Sequence, residues 1–495
     1  MSGRSRQAVG AIARVVAAAL VGAVAFGGAF ASARARAGGL LDDPFATLDR
    51  TPPTRATAWR GHGADPCARL APRVRAWTLA DVVDRALCEN PQTRETWAAA
   101  RAQAARLGVG ESAYLPTLGF SANASRSRIS SSGGFQIPAQ DRISPALSLS
   151  YLLFDFGGRS AAVENARESL YAADWTHNAT LQAVLLSAVQ GYYRLFAARA
   201  AVGAARATLR ASREALEAAR VRHRVGAATL ADELQARTAA AQAGLALRQA
   251  EGTERIAAGT LANALGLAAD VPLRLAPPPA AAPAVQDRRR VRALIRQAEL
   301  ARPDLAAAEA RVRAAAAAVR QARAAGLPTL SLTGNAGYTY SDVLNDTRDW
   351  SIGLSLNIPL FTGFSTTYQV RAADADLENQ RAQLAQLRNQ VALDVWTAYQ
   401  NLETARDTLA SSRALLASAR ESAAVALGRY RAGAGTIVDL LNAQASLADA
   451  RRQWIQARYD WYIGRATLAR ALGRLDLHAA RALSTAPSPQ KDPVR

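Results

Sequence analysis

The strongest constraint on this chain is that it repeats itself. Asn90-Pro91 recurs as Arg302-Pro303, and Leu115-Pro116-Thr117-Leu118 recurs as Leu327-Pro328-Thr329-Leu330, both 212 residues later. Further along, the offset becomes 207, pairing Phe154 with Phe361, Tyr192 with Tyr399, Gly226 with Gly433 and Leu265-Gly266 with Leu472-Gly473. Self-similarity at a fixed spacing means two copies of one structural unit. The drop in offset places about five extra residues in the first copy, inside a hairpin.

Each copy is built around a run with no helix breaker. From Gly158 to His223 there are 66 residues and no Pro. At roughly 1.5 Å per residue a helix of this length reaches about 99 Å, far beyond the usual globular helix. The chain then turns at Val225 to Ala228 and runs back as a helix to about Leu267. The turn stretches are RVGAATLADEL, Arg224 to Leu234, and RAGAGTIVDLL, Arg431 to Leu441. Each has a small flexible tract, with Gly226, Gly433 and Gly435 as turn residues, then a Thr-x-x-Asp group of capping-box form: Thr229 to Asp232 and Thr436 to Asp439. Thr78 to Asp81 has the same form and starts a helix expected to run to about Ser112. Capping by itself explains these residue types.

Between the helices lie strand patterns. In Tyr114 to Ser125, Leu118, Phe120, Ala122 and Ala124 alternate with smaller or polar residues; a turn around Ser130 to Gly134 follows, and Ala146 to Phe154 returns with Leu147, Leu149, Tyr151 and Leu153 on one face. The second copy is cleaner: Trp350, Ile352, Leu354, Leu356, Ile358 and Leu360 alternate with Ser351, Gly353, Ser355, Asn357 and Pro359. Strands of this kind suit the wall of a tilted transmembrane barrel. Four per chain are too few to close one, and an open edge does not survive in lipid, so several chains must pool their strands. In the last helix Leu440, Leu447, Trp454, Trp461 and Leu468 recur every seven residues beside a column of Ala443, Ala450, Ala457, Gly464 and Ala471. That heptad seam lets neighbouring helices approach closely, and the first copy keeps the small column as Ala236, Ala243, Ala250, Ala257 and Ala264.

Composition matters for what it excludes. A formal charge of +20 invites a nucleic-acid reading, but Lys491 is the only Lys and the Arg residues are interspersed with acids along helices rather than clustered with aromatics. No nucleic acid is expected as partner. At the N-terminus Arg4, Arg6 and Arg14 precede an apolar run from Val15 to Phe30 and an Ala31-Ser32-Ala33 site, the form of a cleaved export signal. The domain reading is thus a signal peptide at 1–33, an extended segment at 34–77, a first repeat at 78–267, a Pro-rich linker at 268–288, a second repeat at 289–475 and a tail at 476–495. Cys67 and Cys88 would reach an oxidising compartment, either as a disulfide pinning the N-terminal segment to the first helix or as two unpaired thiols. His62, His177, His223 and His478 are scattered, and no metal-binding, phosphate-binding or nucleophile motif appears. The expectation is a protein that is not an enzyme, with no cofactor and no metal.

Signal peptide, duplicated helix–hairpin–long helix–turn–helix, the LPTL segments, LFDFGGR at Leu153 to Arg159 with PLFTGF at Pro359 to Phe364, and the GTIVDLL turn together resemble the TolC-like outer-membrane efflux family. The FDFGGR form, and the lack of a lipid-attachment Cys after the apolar run, look most like its type I secretion members. The resemblance implies a mainly α fold with a transmembrane β part: a duplicated long-helix coiled-coil tunnel, plus four strands per chain contributing to a trimeric twelve-stranded β-barrel. It implies a homotrimer in outer-membrane lipid, with a large periplasmic part that docks a periplasmic adaptor and is driven by an inner-membrane ABC or other pump. Its aperture positions fall on Asp232 and Asp439; its second acidic position falls on Asn442 and its constriction arginine on Gly435. Tyr430 matches its tip tyrosine, which His223 replaces in the first copy, and adaptor docking would involve Gly226, Thr229, Gly433 and Thr436. Rival readings are a drug or metal efflux channel, a periplasmic coiled-coil adaptor, and a soluble membrane-sculpting or nucleic-acid scaffold.

Overall fold

The duplication appears element by element in the computed structural model, which describes residues 43–60, 65–70, 76–128, 139–278, 291–342, 345–477 and 479. The signal peptide expected at 1–33, the turn expected at Ser130 to Gly134, Pro279 and Pro283 of the linker and most of the tail lie outside these residues. Helices α1 (Leu79–Glu89) and α2 (Pro91–Ser112) return as α5 (Val291–Ala301) and α6 (Pro303–Ala324), 212 residues on. Helices α3 (Gly158–Arg224) and α4 (Leu230–Ala264) return as α7 (Ser365–Arg431) and α8 (Ile437–Ala471), 207 residues on. The strands are β1 (Thr117–Ser127), β2 (Gln140–Phe154), β3 (Thr329–Ser341) and β4 (Thr347–Asn357).

Two expectations need correction. The helix expected from Thr78 to Ser112 is two helices, because Asn90 before Pro91 is pushed to extended backbone (φ −66°, ψ 128°) and Pro91 opens the next one. The Asn90 side chain accepts from Gln92 N at 2.8 Å and caps the new start. The return strand begins at Gln140 rather than Ala146. It tolerates Pro145 because pairing with β3 steps from Ile143↔Tyr340 to Ala146↔Gly337, so the missing N–H falls in a gap of the ladder.

The chain divides into two compact units. In one, the strands form a single sheet in the order β1-β2-β3-β4. Its register sets Leu118 opposite Leu149 and Phe120 opposite Leu147, with Ser148 opposite Asn335 and Ser150 opposite Thr333. Asn335 donates to Asp349 at 3.1 Å, which puts Asp349 and its alternates Ser351 and Gly353 on that second, polar face. Trp350, Ile352, Leu354 and Leu356 therefore share the apolar face with Leu118 and Phe120, and these six are 63% to 80% exposed.

The other unit holds the helices, apart from residues 104–112 at the end of α2. Its main core joins both repeats: Leu181, Val184 and Tyr193 of α3 and Leu261 of α4 pack with Leu402 of α7 and Tyr459, Trp461 and Tyr462 of α8. Tyr193 and Tyr462 stack at 4.8 Å and 6°, an aromatic pair worth roughly 0.5–1.5 kcal/mol beyond its buried area. The small column behaves as the heptads predict, with Ala236, Ala243, Ala450, Ala457 and Ala471 buried and Leu402 3.4 Å from where a Cβ on Gly464 would stand. Gly266 and Gly473 end α4 and α8 at φ +73° and +71°, and a Cβ there would meet Glu89 O at 2.3 Å and the Ala301 carbonyl at 2.7 Å. Cys67 and Cys88 form a disulfide. Closing a loop of 21 residues in this way stabilises by about 3 kcal/mol in chain-entropy terms.

Candidate functional site

Helix termination and restart shape the turns between α3 and α4 and between α7 and α8. Each long helix ends in a left-handed glycine, Gly226 at φ +71° and Gly433 at φ +77°. The next amide reaches back, Ala227 N to Arg222 O at 2.8 Å and Ala434 N to Arg429 O at 2.9 Å, the Schellman pattern. Gly435 has no positive φ; a Cβ there would lie 3.1 Å from Arg429 Cβ, so it is small because the last turn of α7 passes close by. Thr229 and Thr436 then cap α4 and α8, each accepting from the Asp three residues on while that Asp accepts from the Thr N–H. Asp232 and Asp439 are thus both held by their own turns, as Asp81 is by Thr78.

Around this shared backbone the side chains diverge. In the first turn His223 Nδ1 lies 3.0 Å from Glu233 Oε2, and Arg220 reaches the same carboxylate at 3.4 Å. The hydrogen bond from His223, with Arg220 nearby, holds the Glu233 carboxyl below its ordinary value. In the second turn the equivalent residues are Tyr430 and Leu440, both buried, in a small core with Leu216 and Ala219 of α3, Ala236 of α4 and Ile437 of α8. The Tyr430 hydroxyl has no hydrogen-bond partner among the described residues. Asp439 is held below its ordinary value by the Thr436 hydroxyl and N–H, and by the Arg429 guanidinium. Asn442 is exposed.

One residue that sequence reasoning missed joins the two turns. Arg222, near the end of α3, donates from Nη1 to Tyr430 O at 2.9 Å and sets its guanidinium 4.7 Å over the Tyr430 ring. Its Nη2 lies 3.2 Å from where a Cβ on Gly433 would stand. The only hint in the sequence is the tyrosine itself, since in an Arg-rich chain no single Arg stands out.

Among the described residues no His, Cys, Asp or Glu group is arranged to hold a metal, and no helix is long and apolar enough to cross a membrane.

Known proteins agree with this architecture. Protein CyaE of Bordetella pertussis is 34% identical over 413 residues, 82% of this chain and 86% of that one. Outer membrane efflux protein BepC of Brucella suis is 28% identical over 404 residues, 80% of this chain and 86% of its own. The crystal structure of the outer membrane protein VceC from Vibrio cholerae matches with a TM-score of 0.69 at 23% identity, over 80% of this chain and 96% of that one. Family similarity runs through residues 82–267 and 294–474, taking in both repeats and both turns, so this chain belongs to the outer membrane efflux protein family, whose channels reside in the outer membrane.

Proposed function

We propose that this chain is the exit duct of a tripartite export system for type I protein secretion. Three copies pool their strands into one outer-membrane barrel, and their helices meet a periplasmic adaptor and an inner-membrane pump that supplies the energy. The observation that carries this reading is the sheet. Its apolar face is bare, and its outer strands β1 and β4 each have a neighbour on one side only within the described sheet. Such edges require further strands before they enter lipid, and three copies of four supply twelve. Helices α4 and α7 add apolar side chains open to a neighbouring copy, Leu234, Leu245 and Ile256 on one and Leu393, Trp396 and Val425 on the other. Residues 1–33 serve as the export signal.

At the periplasmic end, Asp232 and Asp439 form rings of carboxylates that favour cations while also capping their helices. His223, Gly226, Thr229, Tyr430, Gly433 and Thr436 outline the surface offered to the adaptor. With Gly435 and Asn442 where the resemblance leads one to expect an arginine and an acid, the contact of Arg222 with Tyr430 supports a different link between hairpins as the brake on opening.

Similarity to CyaE over most of both chains supports protein secretion. Similarity to BepC, an outer membrane efflux protein, supports efflux as the second reading. Outer-membrane fractionation followed by gel analysis with and without heating tests the assembly. A band of three chains that collapses to one on boiling is expected, and a soluble monomer ends the proposal. A deletion strain then separates the readings: lost protein secretion with normal drug tolerance is expected, and the reverse outcome selects the second.

A further inference from the structure

A second polar cluster lies away from the turns, where the N-terminal strap Pro52 to Arg60 crosses α3. Asn178 clamps the strap backbone from both sides, accepting from Trp59 N at 2.8 Å and donating to Trp59 O at 3.1 Å. His177 Nε2 lies 3.3 Å from Thr57 O, and its Nδ1 lies 2.9 Å from Thr96 Oγ1 on α2. A carbonyl only accepts, so Nε2 carries the hydrogen and the neutral ring accepts at Nδ1. The Trp59 ring packs at 5.3 Å from Tyr171 and 5.1 Å from Trp175. On the same face Asp174 is 0% exposed, and neither of its carboxylate oxygens has a hydrogen-bond partner among the described residues. The second repeat has none of this: Tyr171, Asp174, Trp175, His177 and Asn178 correspond to Glu378, Arg381, Ala382, Leu384 and Ala385. The cluster is present in only one copy of a duplicated helix, where the strap crosses it.

We propose that the strap is a proton-controlled clasp, docked on α3 while the Asp174 carboxyl is protonated and released as that carboxyl ionises. An ionised carboxylate without a donor is costly to bury, whereas the protonated acid is tolerated. The charged groups facing it are few. Arg60 of the strap, its guanidinium 4.1 Å over Trp59, is the charge that favours ionisation. His177 is on the same helix, α2 presents the uncharged Thr96, and Arg311 of α6 is engaged on Thr176 Oγ1 at 3.1 Å.

The two titrating groups act in opposite directions. Burial raises the Asp174 carboxyl from 3.8 to about 8, so docking weakens as pH rises between those values. Burial lowers His177 from 6.5 to about 4, so docking strengthens as pH rises across that interval. The slopes cancel between about 4 and 6.5. What remains is a fall of about tenfold per pH unit between about 6.5 and 8, some 30-fold in all. The Cys67–Cys88 bond keeps the far end of the strap tied to α1, so release is reversible.

Limiting trypsin digestion of the assembled full-length protein, read as cleavage after Arg60, tests this. At each pH the wild-type rate is divided by that of Asp174→Asn, which removes the protease's own pH response. The ratio is expected to climb about 30-fold between pH 6.5 and 8 and then level off; a constant ratio overturns the proposal. Asp174→Leu serves if the Asn variant does not assemble. Asn178→Ala is expected to be cut rapidly at pH 6.5, and wild-type resistance in that variant also overturns it.

Discussion

At Arg222 to Leu234 and again at Arg429 to Leu441 the chain makes the same turn, 207 residues apart, and then attaches it to different surroundings. The Schellman glycine, the capping Thr and the Asp three residues on are common to both. The pair ten residues apart that braces the turn is His223 with Glu233 in the first and Tyr430 with Leu440 in the second. One brace is a half-exposed polar pair, the other apolar and buried. After duplication the backbone terminators stayed alike because a helix of 67 residues must stop cleanly in either copy. The braces were free to diverge, and the second turn, packed around buried Tyr430, is the one whose carbonyl Arg222 of the first turn holds.

The largest blow to this contrast is Tyr430→Ala, expected to cost about 3–5 kcal/mol as a buried aromatic truncation. His223→Ala at the equivalent site is expected to change stability little, because its hydrogen bond to Glu233 lies at the half-exposed surface of the turn. Denaturant unfolding with hydrogen exchange at each turn measures both. Tyr430→Phe sharpens the point: its buried hydroxyl has no partner among the described residues, so removal is expected to be neutral or stabilising. Arg222→Ala removes a charged donor from the Tyr430 carbonyl, worth about 1.5–3 kcal/mol, and is expected to raise channel conductance in planar bilayers. Gly226→Ala and Gly433→Ala are each expected to cost about 1–2 kcal/mol, since both residues need the left-handed conformation, with Gly433→Ala the costlier because its Cβ would stand 3.2 Å from Arg222 Nη2 while a Cβ on Gly226 meets nothing; the reverse order would mean that the turns are not equivalent even in backbone. The smallest effect is Asp439→Asn, expected to shift the reversal potential toward lower cation selectivity. Because the folded state holds Asp439 below its ordinary 3.8, its contribution is complete above that value and lost as pH falls through the lower folded one. Hydrogen exchange at the start of α8 in acid should show this loss in the wild type and not in the variant.

Much of the molecule was legible because duplication multiplies weak signals. The Thr-x-x-Asp groups, the LPTL segments and the paired Leu-Gly sites each fell on the element expected of them, and alternation in β4 reported its bare apolar face directly. The break at Asn90 is visible in the sequence as a repeat marker but does not declare itself a boundary, because Pro is permitted in the first turn of a helix as well as fatal inside one. Arg222 and the Asp174 cluster escaped for a different reason. Their partners, Tyr430 and the strap at Thr57 to Arg60, are more than a hundred residues away, and no periodicity links residues brought together only by folding. A signal for the cluster did exist, in the mismatch between Tyr171 to Asn178 and its copy at Glu378 to Ala385.

A sheet whose edge strands β1 and β4 each lack a neighbour on one side among the described residues also has a genetic meaning. A chain completed by copies of itself ties its own stability to its abundance, so low expression and poor folding become the same defect. A copy with a damaged β1 or β4 that still enters assemblies would spoil the sound chains it joins. Defects at those edges are expected to be dominant over a wild-type gene, whereas defects at the Tyr193 and Tyr462 core, which unfold a chain before it meets another, are expected to be recessive.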